Sequence, residues 1–247
     1  MKRMRLKRYK GNKNKITNKI LVVLILLVIS IVYIFKIFNE KALPQFISYS
    51  EIETKKIVSI LVSSTITEEI SNSISMEDLF ITTKDSKGDI QSIDFNSREV
   101  NKILVKASKA VEQNLKYLEM GEIDKINLNN VLDDYDEDKL KKGVIYELPS
   151  GIIFNNTLLN NIFPKIPIKM NLIGNVFTKF NTDIKSYGIN NAFIKVNINV
   201  EAEIKILMPF VSSNTKINVD IPIIMKIIEG NVPSYYFGGY LDTVVNE

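Results

Sequence analysis

The sequence predicts an α+β fold: an N-terminal transmembrane helix, then a mainly antiparallel sheet covered by two helices. Three observations predict it. Residues 20–38 form a nearly unbroken apolar run, segments 42–74 and 97–119 carry aliphatic residues at helical spacing, and from Val144 onward the hydrophobic period drops to two. A chain of 247 residues, 45% hydrophobic and 24% charged, has material for one domain or two small ones and is neither a disordered tail nor a fibre.

Composition limits the chemistry. Cysteine and histidine are both absent, which removes thiolate chemistry, disulfides, imidazole acid-base work and the nitrogen and sulfur ligands of most zinc or transition-metal sites. The 39 Ile, 28 Lys and 26 Asn against 4 Arg and no Trp read first as the codon bias of an AT-rich genome. Net charge is +4, but residues 1–36 hold ten cations and no acid, leaving 22 cations against all 28 acids in residues 37–247, a net of −6. An acidic main body argues against a nucleic-acid-binding domain there.

The run 20–35, ILVVLILLVISIVYIF, carries polar atoms only at Ser30 and Tyr33 and is followed by Lys36, Ile37 and Phe38. Counted over residues 20–38, 19 residues make about 28 Å of helix at ~1.5 Å per residue, close to the ~30 Å hydrocarbon core if Lys36 snorkels to the headgroups. A cleaved signal peptide competes with this anchor, but its apolar region is usually ~7–15 residues, and KIFNEKALPQF offers no small-x-small cleavage site. Nine cations precede Ile20, so the positive-inside bias places residues 1–19 as a basic cytoplasmic tail and residues 39–247 outside. Anionic headgroups beside the span account for the tail without nucleic acid as a partner.

In segment 42–74, Val58, Val62, Ile66, Ile70 and Ile74 stand at four-residue steps with Ile57 and Leu61 beside them. Such a stripe is expected to dock on the domain's own sheet rather than form a coiled coil. Residues 80–83 and 90–95 read as a hairpin whose turn contains Gly88. Helix 97–119 follows, with an apolar face of Val100, Ile103, Leu104, Ala107, Val111, Leu115 and Leu118; Asn96 or Ser97 is its expected cap, Glu99 suggests a capping box, and Gly121 ends it.

The stretch 121–142 is an acidic loop. Asp134, Asp136 and Asp138 alternate as in a calcium loop, but an EF-hand starting at Asp134 needs Gly and Glu where the chain has Lys139 and Ile145. Four alternating runs come next: 166–172, 176–184, 194–206 and 217–227. In the third, Ile194, Val196, Ile198, Val200, Ala202, Ile204 and Ile206 face one way and Lys195, Asn197, Asn199, Glu201, Glu203 and Lys205 the other. In the fourth, Ile217, Val219, Ile221, Ile223, Met225 and Ile227 are expected to share a face, and Pro222 favours an edge or a bulge. Connections of about seven residues point to an antiparallel meander with the two helices as its lid.

None of the motifs GxGxxG, GxxxxGK, GxSxG or HExxH occurs. Ser108 and Lys109 are adjacent on a helix and diverge by ~100°, too far for a base to serve a nucleophile. Glu68 with Glu69, or Glu77 with Asp78, are the carboxylates a wall-active glycan hydrolase would use, yet neighbouring acids on a surface helix are commonplace. The aromatic cluster SYYFGGY, residues 234–240, reads as core closure before partner or membrane binding. No catalytic, cofactor-binding or metal residue is assigned.

Three stretches carry a family resemblance: PKIPIKMNLIGNVFTKF (164–180), SYGIN (186–190) leading into the long alternating strand, and IPIIMKIIEGNVP (221–233). In this order behind one N-terminal span, over nearly the whole chain, they resemble the YunB family of sporulation proteins of endospore-forming Firmicutes. The family pattern follows Gly-Ile-Asn with Gln-Thr and then a His two residues on; this chain has Asn191, Ala192 and Ile194, which argues against histidine-dependent activity. The resemblance implies a membrane-anchored protein of the mother cell, needed for efficient spore formation and without an established reaction. The expectation is a non-enzymatic binding or assembly module in the envelope around the forespore, partnered by the membrane through residues 20–38 and by itself or other envelope proteins through sheet edges. The alternative is a cell-wall-active enzyme using Asp and Glu carboxylates.

Overall fold

In a computed structural model, which describes residues 13–73, 76–84, 86, 90–126, 135–151, 164–187 and 191–229, the first element is one helical rod. It comprises α1 (Lys13–Ile37), a single π-helical turn (Phe38–Ala42) and α2 (Leu43–Ser73). The anchor and the first domain helix, expected as separate segments, are thus joined without a linker. Pro44 explains the wider turn: it has no N–H for the Glu40 carbonyl and its ring would crowd that oxygen, and a π turn just before it relieves the clash. The Leu43 N–H donates to the Phe38 carbonyl, closing the turn.

Along α1 the large apolar residues from Ile20 to Phe35 are each 46–65% exposed, on all sides of the helix. Among the described residues this is one helix long and apolar enough to cross a membrane. The character changes in α2. Phe46, Ile57, Val58, Leu61, Val62, Ile66 and Ile70 are buried, so the four-residue stripe docks on the chain's own core, as expected; Ile74 lies outside the described residues.

A short 3₁₀ turn leads to the hairpin of β1 (Phe80–Lys84) and β2 (Ile90–Phe95), which pair antiparallel; Gly88 lies outside the described residues. The Phe95 ring stacks edge-on at 5.4 Å against Phe180 of the main sheet, which fixes the hairpin there. Helix α3 (Ser97–Met120) buries Val100, Ile103, Ala107, Val111, Leu115 and Leu118. Its expected side-chain cap is absent: Asn96 makes no capping hydrogen bond, its N–H donates to the Leu79 carbonyl, and Glu99 pairs with Lys102 at 2.7 Å. The hairpin's approach therefore sets this helix start.

Gly121 ends α3 at φ 75, with its N–H on the Leu118 carbonyl and the Glu122 N–H on the Tyr117 carbonyl, a Schellman motif. A side chain at Gly121 would meet the Lys141 carbonyl, and one at Gly143 the Glu119 carbonyl, so the helix end and the 141–143 turn touch backbone to backbone. Within the acidic stretch Asp136, Glu137 and Asp138 are exposed, but Asp136 also caps the one-turn α4 (Glu137–Leu140) by accepting from the Lys139 N–H. Asp133 and Asp134 fall outside the described residues.

The main sheet has the order β3-β4-β5-β6, antiparallel throughout. Its strands are β3 (Tyr146–Pro149), β4 (Lys165–Tyr187), β5 (Asn191–Met208) and β6 (Val211–Glu229). Two of the expected runs, 166–172 and 176–184, are one strand interrupted by a bulge at Gly174; three residues join β4 to β5 and two join β5 to β6, fewer than the seven expected, while fifteen separate β3 from β4. Every alternate residue of β5 from Ile194 to Ile206 is at most 6% exposed. Helix α3 packs on β4 and α2 on β6, and they pack on each other, closing one core over that face.

Among the described residues strand β6 is an edge, and at Pro222, which favours an edge or a bulge, it also bulges: Val196 pairs with Ile224 and Asn197 with Pro222, leaving Ile223 as the extra residue. One extra residue exchanges the faces. Ile224 is therefore buried while Met225 and Ile227 are 59% and 47% exposed, reversing the expectation for the last third of the run.

Candidate functional site

Among the described residues the helices cover one face of the sheet and leave the other open. At its centre β4 carries extra residues: Ile173 pairs with Glu203 and Phe177 with Glu201, so Gly174, Asn175 and Val176 stand opposite Ala202 alone. Gly174 makes this loop-out at φ 69, with open space where a side chain would be. Because β4 gains two residues net, its inward parity survives, and Ile168, Met170 and Val176 all remain buried.

The bulge opens a cavity of about 520 Å³, lined by Ile173 and Phe177 of β4, Glu201 and Glu203 of β5, and Lys216 and Asn218 of β6. Phe177 is 63% exposed and stands as a bare ring beside charged neighbours. Lys179 Nζ lies 2.6 Å from Glu201 Oε1. Further along, Asn199 donates to Asn218 Oδ1 at 2.5 Å and Asn197 to Asp220 Oδ2 at 2.7 Å, a cross-strand ladder of amide and carboxylate groups. The arrangement offers acceptors, an ammonium and one aromatic surface, the complement of a polar, hydrogen-bonding partner.

The back of the bulge is held from α3. Ser108 Oγ donates to the Val176 carbonyl at 2.5 Å, Thr178 Oγ1 donates to the Leu104 carbonyl at 2.9 Å, and the Leu172 N–H donates to Glu119 Oε2 at 3.0 Å. Ser108, weighed as a nucleophile on sequence, is thereby occupied in joining helix to strand.

Glu68 and Glu69 are half-buried near the end of α2, Asp78 is exposed, and none of these three lines the cavity; the Glu77 side chain lies outside the described residues. The cluster 234–240 and Asp134 lie outside the described residues too. Among the described residues no three acidic side chains converge as a metal site.

Shifted protonation equilibria collect elsewhere, around α4 and β3. The Lys139 side chain's hydrogen bond holds the Asp136 carboxyl below its usual range, and Glu147, then Asp136, raise Lys139. Burial, then the charge of Glu53, pushes the Tyr146 phenol up. This acid-base network fastens α4 to β3, with Lys139 Nζ at 3.0 Å from both Asp136 and Glu147.

Sequence reasoning missed the cavity, although Gly174-Asn175 between two runs of the same parity was the available signal. It also placed a histidine of the family pattern where this chain has Ile194, which proves to be a buried residue of the covered face, 6% exposed.

Comparison with known proteins points one way. The profile of the family described as Sporulation protein YunB matches residues 145–235, which takes in the whole main sheet. Sporulation protein YunB of Bacillus subtilis (strain 168) is 33% identical over 200 residues, 81% of this chain and 74% of that protein. No solved structure matches the chain. Identity at that level over four-fifths of the chain, with the meander inside the matched region, establishes that the chain belongs to the YunB family of sporulation proteins.

Proposed function

We propose that this chain is a membrane-anchored, non-enzymatic binding or assembly module acting in the envelope around the forespore, needed for efficient spore formation. The observation that supports it is the open sheet face, polar and indented at the Gly174 bulge, carried on a helix that continues into the apolar segment without a flexible joint. The nine cations before Ile20 favour a cytoplasmic N-terminus, which puts the sheet on the far side of the anchoring membrane, in this reading one of mother-cell origin. Its partner is a protein, either another envelope component or a second copy meeting the exposed edge of β6.

The test is a triple replacement on the open face, Phe177→Ser, Glu203→Lys and Lys216→Glu, in a sporulating host. The reading expects heat-resistant spores to fall by about tenfold or more while the protein accumulates and unfolds at its usual temperature, because hot-spot side chains carry most of an interface's energy. Undiminished spore yield with the triple variant contradicts it.

A further inference from the structure

We infer that the turn between β5 and β6 is a second membrane contact, with the Phe210 ring lying in the lipid headgroup region beside the point where the helical rod leaves the bilayer. The inference rests on the reading of residues 20–38 as a span. If that segment is in the bilayer, its ~28 Å of helix matches the ~30 Å hydrocarbon core, and Phe38 marks the outer boundary. The structure brings Phe210 to that level: its ring centroid is 5.8 Å from Phe38 and 5.7 Å from Phe46.

The three rings are not equally covered. Phe46 is 2% exposed, Phe38 is partly buried against the core, and Phe210 remains 45% exposed at the tip of a two-residue turn. A benzyl group left half open beside an emerging span finds apolar surroundings in the adjoining lipid and none in water. Its neighbour in the turn, Pro209, has no N–H to leave unpaired on entering a less aqueous layer.

The turn is also fixed in place. Ser213 Oγ donates to Glu51 Oε1 at 3.1 Å, tying the start of β6 to α2 just beyond Phe46. The π turn keeps α1 and α2 one continuous helix, so the sheet is carried directly on the rod that holds the apolar segment. The opposite ends of β5 and β6 lie about 60 Å away at ~3.3 Å per residue, so the 208–211 turn is the end of these two strands that lies beside the rod. The occupant of the exposed face of Phe210 is therefore the lipid surface.

The chain contains no tryptophan, so each Trp substitution is a lone indole, excited to the red of the tyrosines. Full-length Phe210→Trp, Val28→Trp and Asp220→Trp chains are reconstituted in phosphatidylglycerol–phosphatidylethanolamine vesicles containing lipids brominated at shallow or deep acyl positions. The inference expects Phe210→Trp to emit to the blue of Asp220→Trp and to lose about half its intensity to shallow bromines, as an interfacial aromatic does, while Asp220→Trp is unaffected. Val28→Trp quenched by deep bromines with Phe210→Trp unquenched overturns the inference and leaves the span standing; Val28→Trp unquenched as well overturns both. If Phe210→Trp fails to fold, Ser212→Trp, on the exposed side of the same turn, takes its place: quenching by shallow bromines supports the contact, and indifference to them overturns it.

Discussion

The carboxylate of Glu119, in the last turn of α3, accepts the backbone N–H of Leu172 in β4 at 3.0 Å. This bond replaces a missing strand. Among the described residues β3 pairs with β4 only over residues 165–168, so beyond that point β4 has no strand beside it on that edge. Helix α3 covers it with Glu119, Ser108 and the Leu104 carbonyl, each bonded to a β4 backbone or side-chain group between Leu172 and Thr178. A covered edge cannot recruit a stray strand, and the bulge that shapes the cavity is held from behind.

Removing that acceptor should therefore cost stability. Glu119→Ala leaves a partly buried N–H without its charged partner, a loss of roughly 1.5–3 kcal/mol. At about 2–4 °C per kcal/mol for a chain of this size, thermal unfolding of the detergent-solubilised protein should drop by several degrees. Glu119→Gln keeps an acceptor and should lose less than half as much.

Two glycines with almost the same backbone angle should differ in tolerance. Gly174 (φ 69) has open space around it, so Gly174→Ala carries only the left-handed strain of about 1–2 kcal/mol. Gly121 (φ 75) carries that strain plus a collision with the Lys141 carbonyl. Denaturant unfolding should rank Gly121→Ala as clearly the more damaging, and equal losses would mean that the α3 end and the 141–143 turn do not touch.

Thr54 is fully buried in α2 and its hydroxyl has no hydrogen-bond partner. Thr54→Val keeps the shape and removes the stranded polar group, so the variant should be more stable by about 1 kcal/mol, read as a higher unfolding midpoint at unchanged m value. A loss of stability would reveal a partner for that hydroxyl, such as a buried water.

The α4 cap should respond to acid. Lys139 holds the Asp136 carboxyl below its ordinary value, so the stabilisation it gives is present above the unfolded-state carboxylate range and is lost as pH falls through the lowered folded value. Amide exchange at Lys139 and Leu140 should accelerate below about pH 4 after correction for intrinsic rates. In Asp136→Asn, which caps without titrating, the acceleration should be much smaller.

Much of the architecture was legible because its signals are local. The alternation from Ile194 to Ile206 and the stripe from Val100 to Leu118 each report one face of one element, and Pro222 pointed to an edge or a bulge. What escaped depends on neighbours distant in sequence. β3 spans four residues, Tyr146–Pro149, too few to show a period. The exchange of Met225 for Ile224 on the covered face follows from one unpaired residue, Ile223, which only the pairing with β5 exposes. The cavity joins residues of β4, β5 and β6 around Gly174, and periodicity within any one strand cannot show that they meet. Glu99 had the right identity to complete a capping box, but the Asn96 N–H it would accept is already given to the Leu79 carbonyl of a preceding turn.

The central claim is that the open sheet face stands across a membrane from the basic tail. The chain has no cysteine, so Asp220→Cys on that face and Lys7→Cys in the tail are each a lone thiol. Protoplasts producing either variant are treated with a membrane-impermeant maleimide before and after permeabilisation. The account predicts that Asp220→Cys is labelled on intact protoplasts and Lys7→Cys only after permeabilisation; labelling of Lys7→Cys alone on intact protoplasts contradicts it.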